Sequence, residues 1–217
     1  MVDLLGREIA AGEHASQSDS LSDGVLKDRF AVSRSSIREA LVILTSKGMI
    51  ERRKHRGTAV RPIRHWNLLD PDVLGWLAGE ETGLGVAEEI LEIRLMVEPF
   101  AARAAAFKST RSDLLAIERA IYRLKRSGIG DADRRLAIVD IHRTVLRASG
   151  NRLIERLIDV VNMHLGRRSP DPAARTEELR AALQSYDELF EAIAAGDGER
   201  ASITMTQIVR NGGERPA

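Results

Sequence analysis

The sequence predicts a mainly α protein in two parts: three short helices and a small β-hairpin in front, an all-helical bundle behind. Apolar residues recur at helical spacing over most of the 217 positions. The period becomes strand-like only between Met49 and Arg61. Aromatic residues make up 4%, so the core must come from Leu, Ile, Val and Ala, a set that favours packed helices.

A hydrophobic share of 43% with 30% charged residues describes an ordered globular chain. The absence of cysteine excludes a disulfide framework and thiolate metal sites, and it fits a reducing compartment. No apolar run reaches spanning length, and the first residues lack a secretory pattern. The expectation is therefore a cytoplasmic protein without membrane contact. The net charge of +1 is unevenly spread. Residues 1–64 hold 12 Lys+Arg against 8 Asp+Glu, a balance of +4, and the remaining residues hold 21 against 24, a balance of −3. Only the front part is suited to polyanions.

In chain order, Val2 to Ala11 reads as a helix stopped at Gly12, and Glu13 to Ser20 as a loop. Ser22 to Phe30 reads as a second helix with Val25, Leu26 and Phe30 inward. Ser33 is a good N-cap for a third, and Ser36 with Glu39 offers an alternative capping box. Ile37, Ala40, Leu41 and Leu44 give that helix one packed face, leaving Arg34, Ser35 and Arg38 at its free N-terminal end. Met49–Arg53 and Thr58–Arg61 form two strands, turned at Lys54–Gly57, where Gly57 supplies a permissive backbone. From Arg52 to Arg64 there are six Arg or Lys and no acidic residue. Alone, such a run is an ordinary solvated face. Joined to the helix start and the hairpin, it is the plan of a winged helix-turn-helix that grips duplex DNA. Lys47 is read as opposing the helix dipole.

Residues 65–83 read as a linker with a connecting helix begun by Asp70-Pro71, and Trp66 and Trp76 as packing where the linker docks on the second domain. Residues 84–210 read as six or seven helices in an antiparallel bundle, with Asn151 to Leu165 as one of them, and 211–217 as a tail.

The run V-S-R-S-S-I-R-E-A-L, followed by K-G-M-I-E and R-G-T-A-V, resembles the DNA-binding domain of GntR-family bacterial transcription regulators. The resemblance implies that Arg34 and Arg38 read bases or phosphates in the major groove. It also implies that Arg56-Gly57 sets the wing tip in the minor groove. The wider candidate interface is Ser33, Arg34, Ser35, Ser36, Arg38, Arg52, Arg53, Arg56, Gly57 and Thr58. In that family the position of Gly24 often carries a charged residue that touches DNA. The segment W-N-L-L-D-P-D-V-L-G-W-L is similar to that of galactonate-type, sugar-acid-responsive members.

E-I-L-E-I-R-L-M-V-E-P-F, V-D-I-H-R-T-V-L-R-A-S-G-N and A-I-A-A-G-D resemble the helical effector domain of FadR-type members, the FCD domain. That implies a homodimer binding a small carboxylate or sugar acid. Many relatives of this type hold a divalent metal through one Asp and three His. Here only His142 matches: Ile138, Tyr186 and Ile208 (or Gln207) fall at the other positions, so no metal or other cofactor is expected. His164 could substitute, though no motif puts it there.

Arg94 sits among apolar residues and needs a partner. It is either a clamp on an effector carboxylate, with His142 and Tyr186 beside it, or one half of a salt bridge to Glu98, Glu92 or another helix. These residues point to a metabolite-controlled DNA-binding regulator, expected to be a repressor and not an enzyme. The rivals are a helical metal-dependent enzyme with a polyanion-binding front and a DNA-binding protein with no ligand.

Overall fold

An amphipathic helix is stable only where another element covers its apolar face. The computed structural model describes residues 1–14, 21–53, 57–77, 86–126, 131–164 and 172–212. The chain divides into two compact units, Met1–Val86 and Ala87–Ala217.

The front unit contains α1 (Val2–Ala10), α2 (Asp23–Phe30), α3 (Arg34–Ser46), the antiparallel strands β1 (Ile50–Arg53) and β2 (Gly57–Val60), a 3-10 turn at Ile63–His65, and α4 (Pro71–Leu77). Strand register pairs Ile50 with Val60 and Arg53 with Gly57. The core gathers Leu5, Ile9, Leu26, Leu41, Leu44 and Met49. Ser22 and Ser33 cap α2 and α3, each hydroxyl accepting a backbone N–H, from Val25 and Ser36 respectively. The alternative box at Ser36 does not form: its hydroxyl lies 2.9 Å from that of Ser33. Ala31 stands in the left-handed region at φ 51 and reverses the chain between the two helices. Val25, expected inward, is 47% exposed. Adjacent helix positions diverge by about 100°, and Leu26 takes the inward one.

The tryptophans correct a second expectation. Trp76 docks on α1 of its own unit, its indole N–H donating to Asp3 at 2.8 Å, and its ring lies where a Cβ on Gly6 would be 2.5 Å away. Trp66 donates to the Arg61 carbonyl at 2.7 Å. The segment from Trp66 to Leu77, read from sequence as linker, is thus built into the front core. Residues 78–85 of that linker lie outside the described residues.

Lys47 does more than oppose a dipole. It is buried, and its ammonium donates to Asp70 at 2.7 Å and reaches Asp72 at 2.8 Å. Burial pushes its pKa down, and the two carboxylates more than offset that, so the net shift is upward. Asp70 also accepts the N–H groups of Asp72 and Val73, capping α4 ahead of Pro71.

The rear unit contains α5 (Val86–Lys108), α6 (Arg111–Lys125), α7 (Asp131–Ala148), α8 (Arg152–Glu155), α9 (Ile158–His164), α10 (Pro172–Ala194) and α11 (Gly198–Gly212). Ala102, Ala105, Ile117, Ile141, Leu189 and Met205 are among its core residues. Small alanines on α5 let neighbouring helices approach closely. Thr110 and Asp113 form a reciprocal capping box at the start of α6. The single helix expected over Asn151 to Leu165 is broken. Its first turn closes on three-residue hydrogen bonds, Arg156 to Leu153 and Leu157 to Ile154, before α9 begins.

Gly48 carries the tight entry into the hairpin at φ +75, and a Cβ there would stand 2.3 Å from the His65 carbonyl oxygen. Gly48→Ala is therefore expected to destabilise the front unit by more than about 1 kcal/mol. Urea unfolding followed by Trp66 and Trp76 fluorescence reads this directly; an unchanged midpoint would contradict the tight approach.

Candidate functional site

At the front, Ser33, Arg34, Ser35, Ser36 and Arg38 are all exposed, while Ile37, Ala40, Leu41 and Leu44 are buried. The face expected to be free is free because the cap fixes where α3 starts. Ser33, Ser35 and Ser36 form a linked hydroxyl cluster, with Oγ–Oγ distances of 2.7 and 2.9 Å. This leaves hydroxyl donors beside two guanidinium groups at a helix N-terminus, an arrangement suited to phosphate oxygens.

Asp23, at the first turn of α2, was not foreseen. Its carboxylate lies 3.2 Å from Arg52 and 4.0 Å from Arg38. It links the exposed helix face to the first strand of the wing. Both pairs are solvent-exposed, so each contributes only about 0–1 kcal/mol. Their effect is to hold two cations in place and to put one negative charge in a basic face.

Thr58, expected at the interface, is 4% exposed and faces inward, so it supports the hairpin. The side chain alternates faces along a strand, and exposed Gly57 and buried Thr58 follow that alternation. Arg56 lies outside the described residues, as do Lys54 and His55; Arg53 is in β1 with its side chain outside them. Gly57 has φ +76, consistent with its place at the turn. Gly24 is exposed, and a Cβ there would meet nothing within 4 Å.

The rear unit holds the second constellation. Arg94 is 1% exposed, Glu98 0%, His142 0% and Tyr186 3%. Arg94 Nε donates to Glu98 Oε1 at 2.5 Å, one turn along α5. Glu98 Oε2 is hydrogen-bonded to His142 Nδ1 from α7. His142 Nε2 lies 3.0 Å from the Tyr186 hydroxyl of α10, the rings edge to face at 87°. Three helices thus meet on one polar chain in an apolar bundle. Arg94, His142 and Tyr186, expected together from sequence, are together; Glu98 joins them. Its signal was the i,i+4 spacing from Arg94.

Of the two readings of Arg94, the salt bridge to Glu98 exists, but it uses only Nε. The two terminal nitrogens, Nη1 and Nη2, are buried and form no hydrogen bond. Burial alone would push the Glu98 pKa up. The charges and hydrogen bonds of His142 and Arg94 overcome it and bring the value down to about 2. Burial pushes the Tyr186 hydroxyl above its ordinary value, aided by Glu98 and opposed by Arg94.

The metal set of FadR-type relatives does not fit these residues. Both ring nitrogens of His142 are engaged, a guanidinium stands on the same carboxylate, and Asp140 is turned to Arg123 and Arg143. Among the described residues no three His, Cys, Asp or Glu converge on one point. The side chain of His164 lies outside the described ones.

A capped recognition helix, a basic hairpin wing and a separate helical unit with a buried polar cluster define a DNA-binding transcription regulator. Residues 2–60 match the bacterial regulatory proteins of the gntR family, and residues 89–211 match the FCD domain. The chain belongs to the GntR family, in its FCD-containing branch, and is a regulator rather than an enzyme. It is 33% identical over 215 residues to the galactonate operon transcriptional repressor of Escherichia coli (strain K12), covering 94% of this chain and 91% of that one. It is 28% identical over 194 residues to the transcriptional regulator LutR of Bacillus subtilis (strain 168), covering 86% and 85%. A solved GntR structure from Streptococcus agalactiae shares the fold at a TM-score of 0.55 and 24% identity, covering 88% of this chain and 86% of that one.

Removing the Glu98 charge strands the buried guanidinium, so Glu98→Gln is expected to cost about 3–5 kcal/mol. A carboxylate whose pKa is lowered by folding stabilises the fold above its unfolded value. That contribution disappears as pH falls from about 4.5 towards about 2. The stability gap between parent and Glu98→Gln should accordingly narrow over that range in thermal melts; a gap independent of pH would mean that Glu98 is not ionised in the fold.

Proposed function

We propose that this regulator is a dimeric repressor whose two front units occupy the half-sites of a short inverted repeat, and that a small carboxylate releases it. Arg34 and Arg38 contact the major groove from the N-terminal end of α3, Ser33, Ser35 and Ser36 bind phosphate, Arg52 and Arg53 contact the phosphate backbone, and Arg56-Gly57 sets the wing tip in the minor groove. Inward-facing Thr58 is left out of the contact set. Ligand acts by its differential affinity for the bound and free arrangements of the dimer.

One observation carries the effector reading: a guanidinium buried to 1% whose two terminal nitrogens form no hydrogen bond. Burying donors without partners is costly, and a planar Nη pair matches a carboxylate bidentately. Glu98 orients the group through Nε, leaving its outer edge for ligand, and the Tyr186 hydroxyl and His142 supply polar neighbours. The same cation makes a metal unnecessary for holding an anion, so the ligand is taken without one. The name of the Escherichia coli relative makes galactonate the first sugar acid to try.

Arg34→Ala or Arg38→Ala is expected to weaken operator binding by about 1–3 kcal/mol in gel shifts at fixed salt, with unchanged melting. Binding as tight as the parent's would remove that arginine from the interface. Galactonate and related sugar acids should raise the parent's melting temperature in the presence of a chelator. Arg94→Ala should lose that shift and still bind operator DNA; an equal shift in the variant would exclude Arg94.

A further inference from the structure

Helix α5 buries one face in the bundle, through Ile90, Arg94, Glu98, Ala101, Ala102 and Ala105. Its opposite face is apolar and uncovered. Ile93 is 37% exposed, Met96 64%, Phe100 59% and Phe107 69%. Glu89 and Arg103 are exposed as well. In order, Glu89, Ile93, Met96, Phe100, Arg103 and Phe107 are spaced alternately four and three residues apart. That spacing makes one straight stripe, the seam by which a helix packs on a like helix. Phe107 is also held from one side, since a Cβ on Gly198 of α11 would be 2.5 Å from its ring.

Charge along the stripe chooses the occupant. The acids Glu88, Glu89 and Glu92 cluster at its start, and the bases Arg103 and Lys108 lie towards its end. A parallel copy would set Glu89 on Glu89 and Arg103 on Arg103. An antiparallel copy in which Met96 meets Phe100 of the second chain brings Arg103 across from Ile93, beside Glu92 and one turn from Glu89. A surface that is complementary to itself after a half-turn is what an isologous twofold contact requires. The apolar centre, Met96 with Phe100, then lies closest to the axis.

We propose that the exposed stripe of α5 is the twofold interface of the dimer, and that its occupant is α5 of a second copy of this chain, running antiparallel. The proposal rests on the dimeric reading above and adds the surface and direction. It also puts the axis on the helix that carries Arg94 and Glu98 on its other side. A ligand drawing on Arg94 would thus act on the element shared by the two copies.

Sedimentation equilibrium of the full chain separates the two claims. A parent that remains monomeric at the concentrations where it binds its operator overturns the dimeric reading itself. With a dimeric parent, Met96→Glu/Phe100→Glu should weaken association at least a hundredfold, with helical content unchanged by circular dichroism because both side chains are exposed. Association undiminished in that variant overturns the interface and leaves the dimer standing.

Direction is read by crosslinking, which a cysteine-free chain makes clean. Met96→Cys chains mixed with Phe100→Cys chains should form the mixed covalent dimer in preference to either like pair under mild oxidation, and Leu153→Cys, 80% exposed on α8, should form none. Like pairs in preference to the mixed one, or crosslinks through Leu153→Cys alone, also overturn the proposal. So does a melting temperature lowered by the glutamates with no change in association, which would mean the stripe is covered by the chain's own residues.

Discussion

A guanidinium with 1% exposure in an apolar helical bundle is the constraint to which the rear unit answers. Arg94 could not stay charged there without an anion, and Glu98 one turn away is fully buried to meet it. Glu98 in turn has a second oxygen to satisfy, which His142 does from another helix, and His142 passes its remaining nitrogen to Tyr186 from a third. The chain of partners fixes how α5, α7 and α10 face one another. Apolar contacts alone leave many helix registers nearly equal, whereas a hydrogen-bonded series admits few. It also leaves the outer edge of the guanidinium without protein partners, which is why the same feature that orders the bundle is where an anionic ligand is read.

The front unit solves a similar problem with a different cation. Lys47 ends α3, the helix whose other end carries Arg34, and it is buried against Asp70, Asp72 and the ring of Trp76. The contact ties α4 to the end of α3, while Trp76 ties α4 to α1 through Gly6 and Asp3. The direction in which α3 presents its N-terminal turn is therefore set partly by residues that follow the wing in sequence. At the exposed end Asp23 holds Arg38 and Arg52 at the surface and can yield them to phosphate.

Much of this was legible before any coordinates. The caps at Ser33 and Asp70, the buried stripe of α3, the left-handed backbone of Gly57 and the grouping of Arg94 with His142 and Tyr186 all appear as expected. Where expectation failed, the missing information was tertiary. Thr58 faces inward and Val25 outward against expectation, because a four-residue strand and an eight-residue helix hold too few apolar positions to fix a face. Periodicity tells that the rings of Trp66 and Trp76 are buried, not that the front core is what covers them. The break between α8 and α9 had no glycine or proline to mark it.

The sequence by itself determined the local and the periodic: where helices begin, which face of each is apolar, where the strands turn, and that the front carries the basic charge. Those properties depend on residues within a few positions of one another. Which carboxylates meet Lys47, which two nitrogens of Arg94 are left without a hydrogen bond, and that Met96 and Phe100 face outward were decided only by the tertiary structure. The reason is that a buried charge or an apolar ring takes its partner from whichever distant segment packs across from it, and no spacing along the chain encodes that distance.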